Sequence, residues 1–209
     1  MKDFIDRLSQ QLQKPLPGRP AQYSLAHAGR QDNMAVPPDA KLAGVLVLFF
    51  PKAGEWHLVL IERTSRYPND RHSGQISFPG GRHETSDQTL LETALREAAE
   101  EVGIIPQQVN ILGALSDLYI PVSNFHVHPH VGFTTDVPLF IPQPAEVQSI
   151  LEVPFNVFQA ANALQHKDIR IYNGMTLKAV PHFNVFGKTV WGATAMMLGE
   201  LLEIVKNGS

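Results

Sequence analysis

The segment from Gly80 to Ile104 constrains this chain most, because a glycine pair leads there into a strongly patterned helix. Within it, residues 88–102 repeat apolar side chains at helical spacing, which predicts a helix with one face packed on a core. That face consists of Leu91, Ala94, Leu95, Ala98 and Val102. The rest of the chain must therefore supply the layer against which this helix packs.

The same helix carries three glutamates on a face that adjoins its apolar stripe. Viewed down the helix axis, with about 100° per residue and Glu97 set at zero, Glu101 lies at about +40° and Glu100 at about −60°. Residues 82–101 hold a net charge of −4. Like charges three or four residues apart destabilise a helix by roughly a few tenths of a kcal/mol per pair, so something should offset their repulsion.

A solvated acidic face is one interpretation of this charge, and a cation site is the other. Arg96 interrupts the acids where it can orient one of them, and Gly80 and Gly81 bring bare backbone close to the same place. Hard oxygen ligands of this kind suit Mg²⁺ or Mn²⁺, which retain waters and are completed by substrate phosphates.

Strand and helix patterns elsewhere indicate an α/β or α+β layered domain. The apolar runs 43–50 and 57–63 are joined by a segment with Pro and Gly, which predicts two strands and a hairpin loop. A short strand is predicted at 75–78. Further strands are predicted at 109–115, 126–133, 146–153, 168–172, 181–186 and 188–191, and further helices at 3–13, 154–162 and 194–206.

The N-terminal part differs in composition from the rest. After the amphipathic helix at 3–13, the chain is punctuated by Pro and Gly without a sustained period as far as residue 38. We therefore divide the chain into an N-terminal helix and Pro-rich extension, 1–38, and a main domain, 39–209. The helix is expected to pack on the body of the protein. The sequence leaves open whether the extension covers the core or mediates a homodimer.

Composition excludes several classes of function. The 209 residues contain no cysteine, which excludes thiolate nucleophiles, disulfides and cysteine-ligated metals. A net charge of −3 offers no polycationic surface, so no nucleic-acid partner is expected. The longest apolar stretch, 43–50, is far shorter than the roughly 20 residues of a membrane helix. Because residues 1–13 also lack the apolar core of a secretory signal, the expected location is the cytoplasm.

The glycine pair and the helix together resemble the Nudix box. The match comprises Gly81, five residues, Asp87, eight residues, and then REAAEEVGI from Arg96 to Ile104. Its departures are Asp in place of Glu, one extra residue before Arg96, and a small Ala98 at an aliphatic position. The resemblance implies a Nudix-type α/β/α sandwich with a mixed β-sheet and a loop-helix-loop. It also implies hydrolysis of a nucleoside diphosphate linked to another group.

Roles for individual residues follow from the same resemblance. Glu97, Glu100 and Glu101, with the Gly80 carbonyl, would hold Mg²⁺ or Mn²⁺, and Arg96 would position a glutamate through a charge-assisted pair. One of these carboxylates, or a separate acid in a later loop, would accept the proton of the attacking water. Glu146 is a candidate for that separate acid, although an acid at the start of a strand is also typical of a solvated surface.

The residues before the box resemble one branch of the superfamily, the coenzyme A diphosphatases. The signature of that branch corresponds here to Arg63-Thr64-Ser65 and to HSGQISFPGG from His72 to Gly81, with RYPND inserted between them. Residues 118–123 and 190–198 agree as well. This resemblance implies cleavage of coenzyme A or acyl-CoA to 3′,5′-ADP and (acyl-)4′-phosphopantetheine. The substrate-binding residues would be Arg63, His72, Gln75 and Arg82.

Several alternatives stay open at this stage. Another Nudix substrate, such as ADP-ribose, a dinucleotide or a nucleoside triphosphate, fits the box equally well, and a nucleotide-sensing domain without turnover is a third possibility. The alternating His126, His128 and His130 would share one face of a strand. They span about 13 Å, too far for one ion to bind all three, and we interpret them as a polar face.

Overall fold

The computed structural model describes residues 1–30, 35–64, 74–171 and 173–208. Its elements in chain order are α1 (Lys2–Leu12), α2 (Gly18–Tyr23), β1 (Lys41–Lys52), β2 (Glu55–Arg63), β3 (Ile76–Ser77), β4 (Gly80–Arg82), α3 (Leu90–Val102), β5 (Asn110–Ala114), β6 (Leu118–Ile120), β7 (Phe125–Phe133), β8 (Val147–Pro154), α4 (Asn156–Gln159), β9 (Leu164–Arg170), β10 (Thr176–Val185), β11 (Lys188–Trp191) and α5 (Gly192–Asn207). A short 3₁₀ turn spans Pro106–Gln108.

Eight strands form a mixed sheet whose main order is β3-β2-β1-β7-β5. β1 and β7 run parallel, and the other pairings described in this sheet are antiparallel. β1 and β2 pair at their hairpin, from Phe49–Leu58 to Lys52–Glu55. Farther from the hairpin β3 pairs with β2 and β4 pairs with β1. Residues 76–82 therefore lie in a wedge between two central strands.

Helices cover both faces of this sheet. Alternation along β1 sends one set of side chains toward α3 and the other toward α5. Leu46, Leu48 and Phe50 join Ala94 and Ala98 of α3 in one buried cluster. The second cluster holds Val47 and Phe49 of β1, Ile5, Leu8 and Leu12 of α1, and Met196, Leu198 and Leu201 of α5. This layering confirms the expected α/β/α sandwich with a mixed sheet.

The N-terminal extension is folded onto the body of the protein. α1 begins and ends close to its predicted bounds, and it buries its apolar stripe in the same core as α5. The extension thus covers the core, as the first of the two alternatives proposed. It also contains α2, which the Pro and Gly content did not predict, and Gln22 of α2 is fully buried.

Other elements differ from the sequence predictions mainly where burial is slight. β9 and β10 are longer than the predicted strands, and with β11 they form a separate three-stranded sheet. Most of β9 is exposed and polar, so its strand pattern is weak in the sequence. The short β4 and β6 were not predicted, and α4 covers only part of the helix expected at 154–162. Across the described residues, none of the helices is long and apolar enough to cross a bilayer.

Candidate active site

A cavity of about 880 Å³ opens beside the wedge. It lies on the face of the sheet that carries Ala43, Val45 and Val127, and α5 and the second sheet form its other walls. Its charged lining residues are Arg63, Arg82, Glu97, Glu101, Glu146 and Arg170, together with His27 and Arg30 from the N-terminal extension. Its apolar lining includes Ile120, Phe125, Ile169, Ile171, Leu177, Trp191 and Met197.

The ends of α3 fix the position of its glutamates. Thr89 caps the helix, its side-chain oxygen accepting a hydrogen bond from the Glu92 N–H at 3.1 Å. Gly103 ends it in the left-handed conformation with φ +75°. The buried face is centred on Ala94, Ala98 and Glu101, whereas the predicted stripe members Leu91 and Leu95 are only half-buried. Glu101 therefore points inward.

Two glycines allow the carboxylates to approach the backbone of β4. The Gly80 N–H donates to Glu101 Oε2 at 2.8 Å, and Gly80 has φ +149°, a conformation that side chains rarely adopt. A Cβ on Gly81 would lie 2.4 Å from Glu97 Oε2. The Gly-Gly pair is thus required for Glu97 and Glu101 to reach the cavity past the sheet edge.

The cavity ends of these two glutamates form a region of excess negative charge. Burial raises the pKa of Glu101 to about 7, against the opposing effects of Arg63 and the Gly80 N–H, and Glu97 adds to the rise. Burial also raises the pKa of Glu97, although Arg96 beside it acts in the opposite direction. Glu101 is 1% exposed. A cation bound here would relieve both the desolvation and the repulsion.

Arg96 and Asp87 form the structural support of the site. The Arg96 guanidinium donates from Nε and Nη2 to the two Asp87 oxygens at 2.8 and 2.9 Å, and from Nη1 to Glu97 Oε1 at 3.1 Å. It also contacts Glu100 and the Arg82 carbonyl. This bidentate pair holds the pKa of Asp87 well below its usual range. The Asp of the altered box therefore orients Arg96, and Arg96 in turn orients Glu97.

The residues present fit a hard divalent cation by their chemistry. Glu97 and Glu101 line the cavity and offer only oxygen atoms as ligands. Glu100, the third predicted ligand, is not among the lining residues and has 57% of its side chain accessible. In the described part of the chain, no three His, Asp or Glu side chains already converge on one point. Glu101 is turned to Arg63, whose Nη1 lies 3.0 Å from its Oε1, and Glu97 is turned to Arg96. Binding a metal would require these carboxylates to exchange partners.

The structure brings most of the predicted substrate-binding residues to the cavity. Arg63, Gln75 and Arg82 all line it. Arg63 donates a hydrogen bond to Glu101, so a residue predicted to bind substrate contacts a predicted metal ligand. Arg82 is exposed beside Gly81. His72 lies outside the described residues, so its proposed contact with substrate stays a prediction.

Glu146 also lines the cavity, half-buried, next to the end of β2, where the Thr64 N–H donates to its carbonyl. The three histidines of β7 lie on the opposite face of that strand from the cavity-lining Phe125 and Val127. His126 contacts Asp117, and burial lowers the pKa of His128 and His130. Their position agrees with a polar face on the α3 side of the sheet.

Sequence reasoning missed the cavity residues contributed by distant segments. His27 and Arg30 follow α2, and Arg170 ends β9. No local pattern marked them, because only the folded chain brings His27, Arg30 and Arg170 to the same cavity as the box.

Comparisons with known proteins agree with this geometry. The NUDIX domain matches residues 40–173. An uncharacterised Nudix hydrolase, NudL, of Pectobacterium atrosepticum is 33% identical over 201 residues, which is 96% of this chain and 92% of that protein. Nudix hydrolase 22, chloroplastic, of Arabidopsis thaliana is 34% identical, but the match covers 87% of this chain and only 61% of the plant protein.

A solved structure shows the same fold. The Nudix hydrolase RenU of M. smegmatis superimposes with a TM-score of 0.56 at 15% identity, covering 80% of this chain and 87% of that one. Members of the Nudix family are hydrolases of phosphoric anhydrides in nucleoside diphosphate derivatives, and they generally need divalent cations. From the box, the fold and these relatives together, we conclude that this chain belongs to the Nudix hydrolase family.

Proposed function

We propose that this chain cleaves the diphosphate of coenzyme A or acyl-CoA, giving 3′,5′-ADP and (acyl-)4′-phosphopantetheine. The observation that carries the proposal is that a single cavity is lined both by Glu97 and Glu101 and by a set of apolar side chains. Such a cavity suits a substrate with a central diphosphate, a nucleotide on one side and a long, weakly polar arm on the other. The resemblance of residues 72–81 to the coenzyme A diphosphatases supports the same substrate.

Glu97, Glu100 and Glu101, with the Gly80 carbonyl, are the proposed ligands of Mg²⁺ or Mn²⁺. When bound, such ions neutralise the diphosphate and polarise a water. Arg63 and Arg82 would bind the phosphate oxygens, and Arg96 would keep Glu97 aimed at the cavity. Water oxygen bonds to one phosphorus, and the bridging oxygen leaves with the other phosphate.

Glu146 is our proposed acceptor for the proton of that water. It lines the cavity near Arg63 and is separate from the three glutamates of the box, so it can act while they hold cations. We further propose that the enzyme works in the cytoplasm and without a nucleic-acid partner.

The test is a substrate panel resolved by chromatography, with Mg²⁺ and with Mn²⁺. Coenzyme A should yield the two products above with a higher kcat/KM than ADP-ribose, a dinucleotide or a nucleoside triphosphate. Preference for one of those other substrates would overturn the coenzyme A proposal while leaving the family activity intact. Absence of turnover with every substrate would favour a nucleotide-sensing domain.

A further inference from the structure

The N-terminal extension contributes two nitrogen-bearing side chains to the cavity, at a place remote from the glutamates. Arg30 donates from Nη2 to the Tyr119 carbonyl at 2.7 Å. Tyr119 belongs to β6, and the strands β6, β7, β1 and β4 are successive neighbours at this end of the sheet. Three strand spacings of about 4.8 Å put the β6 backbone about 14 Å from Gly81.

Arg30 retains unused hydrogen-bonding capacity at this position. Its guanidinium carries five N–H donors, and its buried Nε meets no acceptor in the parts of the chain that are described. Within those same residues, no carboxylate forms an ion pair with Arg30, whose guanidinium lies 5.6 Å from the centre of the Tyr23 ring. A half-buried cation that faces a cavity, and that no carboxylate of the described residues neutralises, favours an anionic ligand.

His27 adds a neutral donor to the same wall of the cavity. Its Nδ1 accepts a hydrogen bond from the Gly29 N–H at 3.2 Å, so in the neutral ring the proton sits on Nε2. Burial, and then the nearby Arg30, lower the pKa of His27. The positive charge here therefore belongs to Arg30, and His27 can supply an uncharged N–H.

We propose that Arg30, assisted by His27, binds a phosphate monoester of the substrate that is separate from the diphosphate being cleaved. A substrate with a second phosphate several bonds from its diphosphate can contact Arg30 while the diphosphate lies beside Glu97 and Glu101. Coenzyme A carries such a group on its ribose, so the proposal rests on and deepens the proposed function. Arg30 is thereby a specificity-determining residue supplied by the extension and not by the Nudix box.

The experiment compares binding of adenosine 3′,5′-bisphosphate and adenosine 5′-monophosphate to the full chain by calorimetry, without added metal. The wild-type protein should prefer the bisphosphate by at least about tenfold, as expected for a charge-assisted pair. Arg30→Met should reduce that preference to within about twofold and leave the affinity for the monophosphate unchanged. Equal weakening of both nucleotides, or an undiminished preference, would overturn the proposal.

Arg19→Met is the matched control. Arg19 lies over the same Tyr23 ring, at 5.4 Å, but is exposed and is not among the residues that line the cavity. Its replacement should leave the bisphosphate preference intact. Arg30→Lys keeps a positive charge but lacks the planar guanidinium with its fixed set of N–H donors. It is the variant to test if Arg30→Met fails to fold. It should lower the preference at least about threefold, and an unchanged preference would contradict the subsite.

Because this assay needs no turnover, its result is independent of the cleavage test. A protein that does not cleave coenzyme A but shows an Arg30-dependent preference would refute the substrate and retain the subsite. A protein that cleaves coenzyme A with no such preference would refute the subsite alone.

Discussion

Glu101 and Glu200 are both buried carboxylates, at 1% and 0% exposure, but their surroundings differ in kind. Glu200 of α5 accepts hydrogen bonds from the Gly18 N–H, the Gln22 amide, and both the N–H and the hydroxyl of Ser116, at 2.6–3.1 Å. Glu101 has one backbone N–H and one arginine, with a second carboxylate beside it. Neutral donors fix the first carboxylate in place, whereas the second pairs with one arginine, lies near the carboxylate of Glu97 and faces a cavity.

We interpret Glu200 as a structural carboxylate and propose that Glu101 binds a ligand. Glu200 joins α2 and the loop before β6 to α5, and these are the elements that bring Arg30 to the cavity. Glu101, in contrast, is one of the proposed metal ligands and lines the cavity. Substitutions at the two positions should therefore have opposite consequences for stability and activity.

The largest effect is expected from Glu200→Leu. It leaves the donors of Gly18, Gln22 and Ser116 buried without an acceptor, at roughly 1–3 kcal/mol each before relaxation. The free energy of unfolding should fall by about 4 kcal/mol, measured by urea denaturation. Glu200→Gln, which keeps one carbonyl oxygen, should cost less than half as much. Equal losses in the two variants would show that the oxygen kept by Gln recovers nothing, and would contradict the view that hydrogen bonds accepted by Glu200 set the difference between them.

Glu101→Gln should have the opposite consequences, with a large loss of activity and no loss of stability. Loss of a metal-held charge should slow coenzyme A cleavage by at least about 10²-fold, while the urea midpoint at pH 8 stays equal or rises. Steady-state kinetics with Mg²⁺ and a parallel denaturation curve check both statements. A variant with near wild-type turnover would remove Glu101 from the proposed metal ligands.

The pH dependence of the free energy of unfolding, measured without metal, also distinguishes Glu101 from Glu200. Because the pKa of Glu101 rises from 4.5 to about 7 on folding, the folded state binds the proton more tightly. Its contribution to the free energy of unfolding is fully present below about pH 4.5 and is lost as pH rises through about 7, a fall of about 3 kcal/mol. Denaturation curves from pH 4.5 to 8 should show this fall in the wild type and in Glu200→Gln. In Glu101→Gln the free energy of unfolding should depend less on pH. The same dependence as in the wild type would contradict the raised pKa of Glu101.

A smaller effect is expected from Asp87→Asn. The substitution removes the charge that holds Arg96, so Glu97 is positioned less well and kcat should fall about tenfold. Asp87→Glu should recover part of that loss. Glu84→Gln, an exposed acid in the same loop, is the control and should change kcat less than twofold. The kinetics of these three variants separate orientation of Arg96 from the general charge of the loop.

Much of the Glu101 region could be predicted from the sequence, because its information is local. The period of α3, the Gly80-Gly81 pair and the three glutamates lie within about 25 residues. The helix nevertheless buries Thr93 and Glu101 where Leu91 was expected, because Gly81 admits Glu97 against the backbone of β4. The contact of Arg96 with Asp87 likewise depends on the loop path, which no helical pattern encodes.

The Glu200 region could not be predicted in the same way. α2 contains Gly18 and Pro20, which are poor helix formers, and the amide nitrogen of its buried Gln22 donates to a residue 178 positions away. The same holds for Arg30, which reaches the cavity through Tyr119, 89 positions along the chain. Contacts at such separations carry no signature in a single sequence. Sequence alone therefore predicts that the first helix of the extension 1–38 packs on the body of the protein, but not that the extension contributes residues to the cavity.

The most direct test of the contrast is the affinity for Mn²⁺ at pH 8, measured by calorimetry for the wild type, Glu101→Gln and Glu200→Gln. We predict that Glu101→Gln weakens Mn²⁺ binding at least about tenfold, while Glu200→Gln stays within about twofold of the wild type. Unchanged Mn²⁺ affinity in Glu101→Gln would contradict the proposal that this buried carboxylate binds a divalent cation.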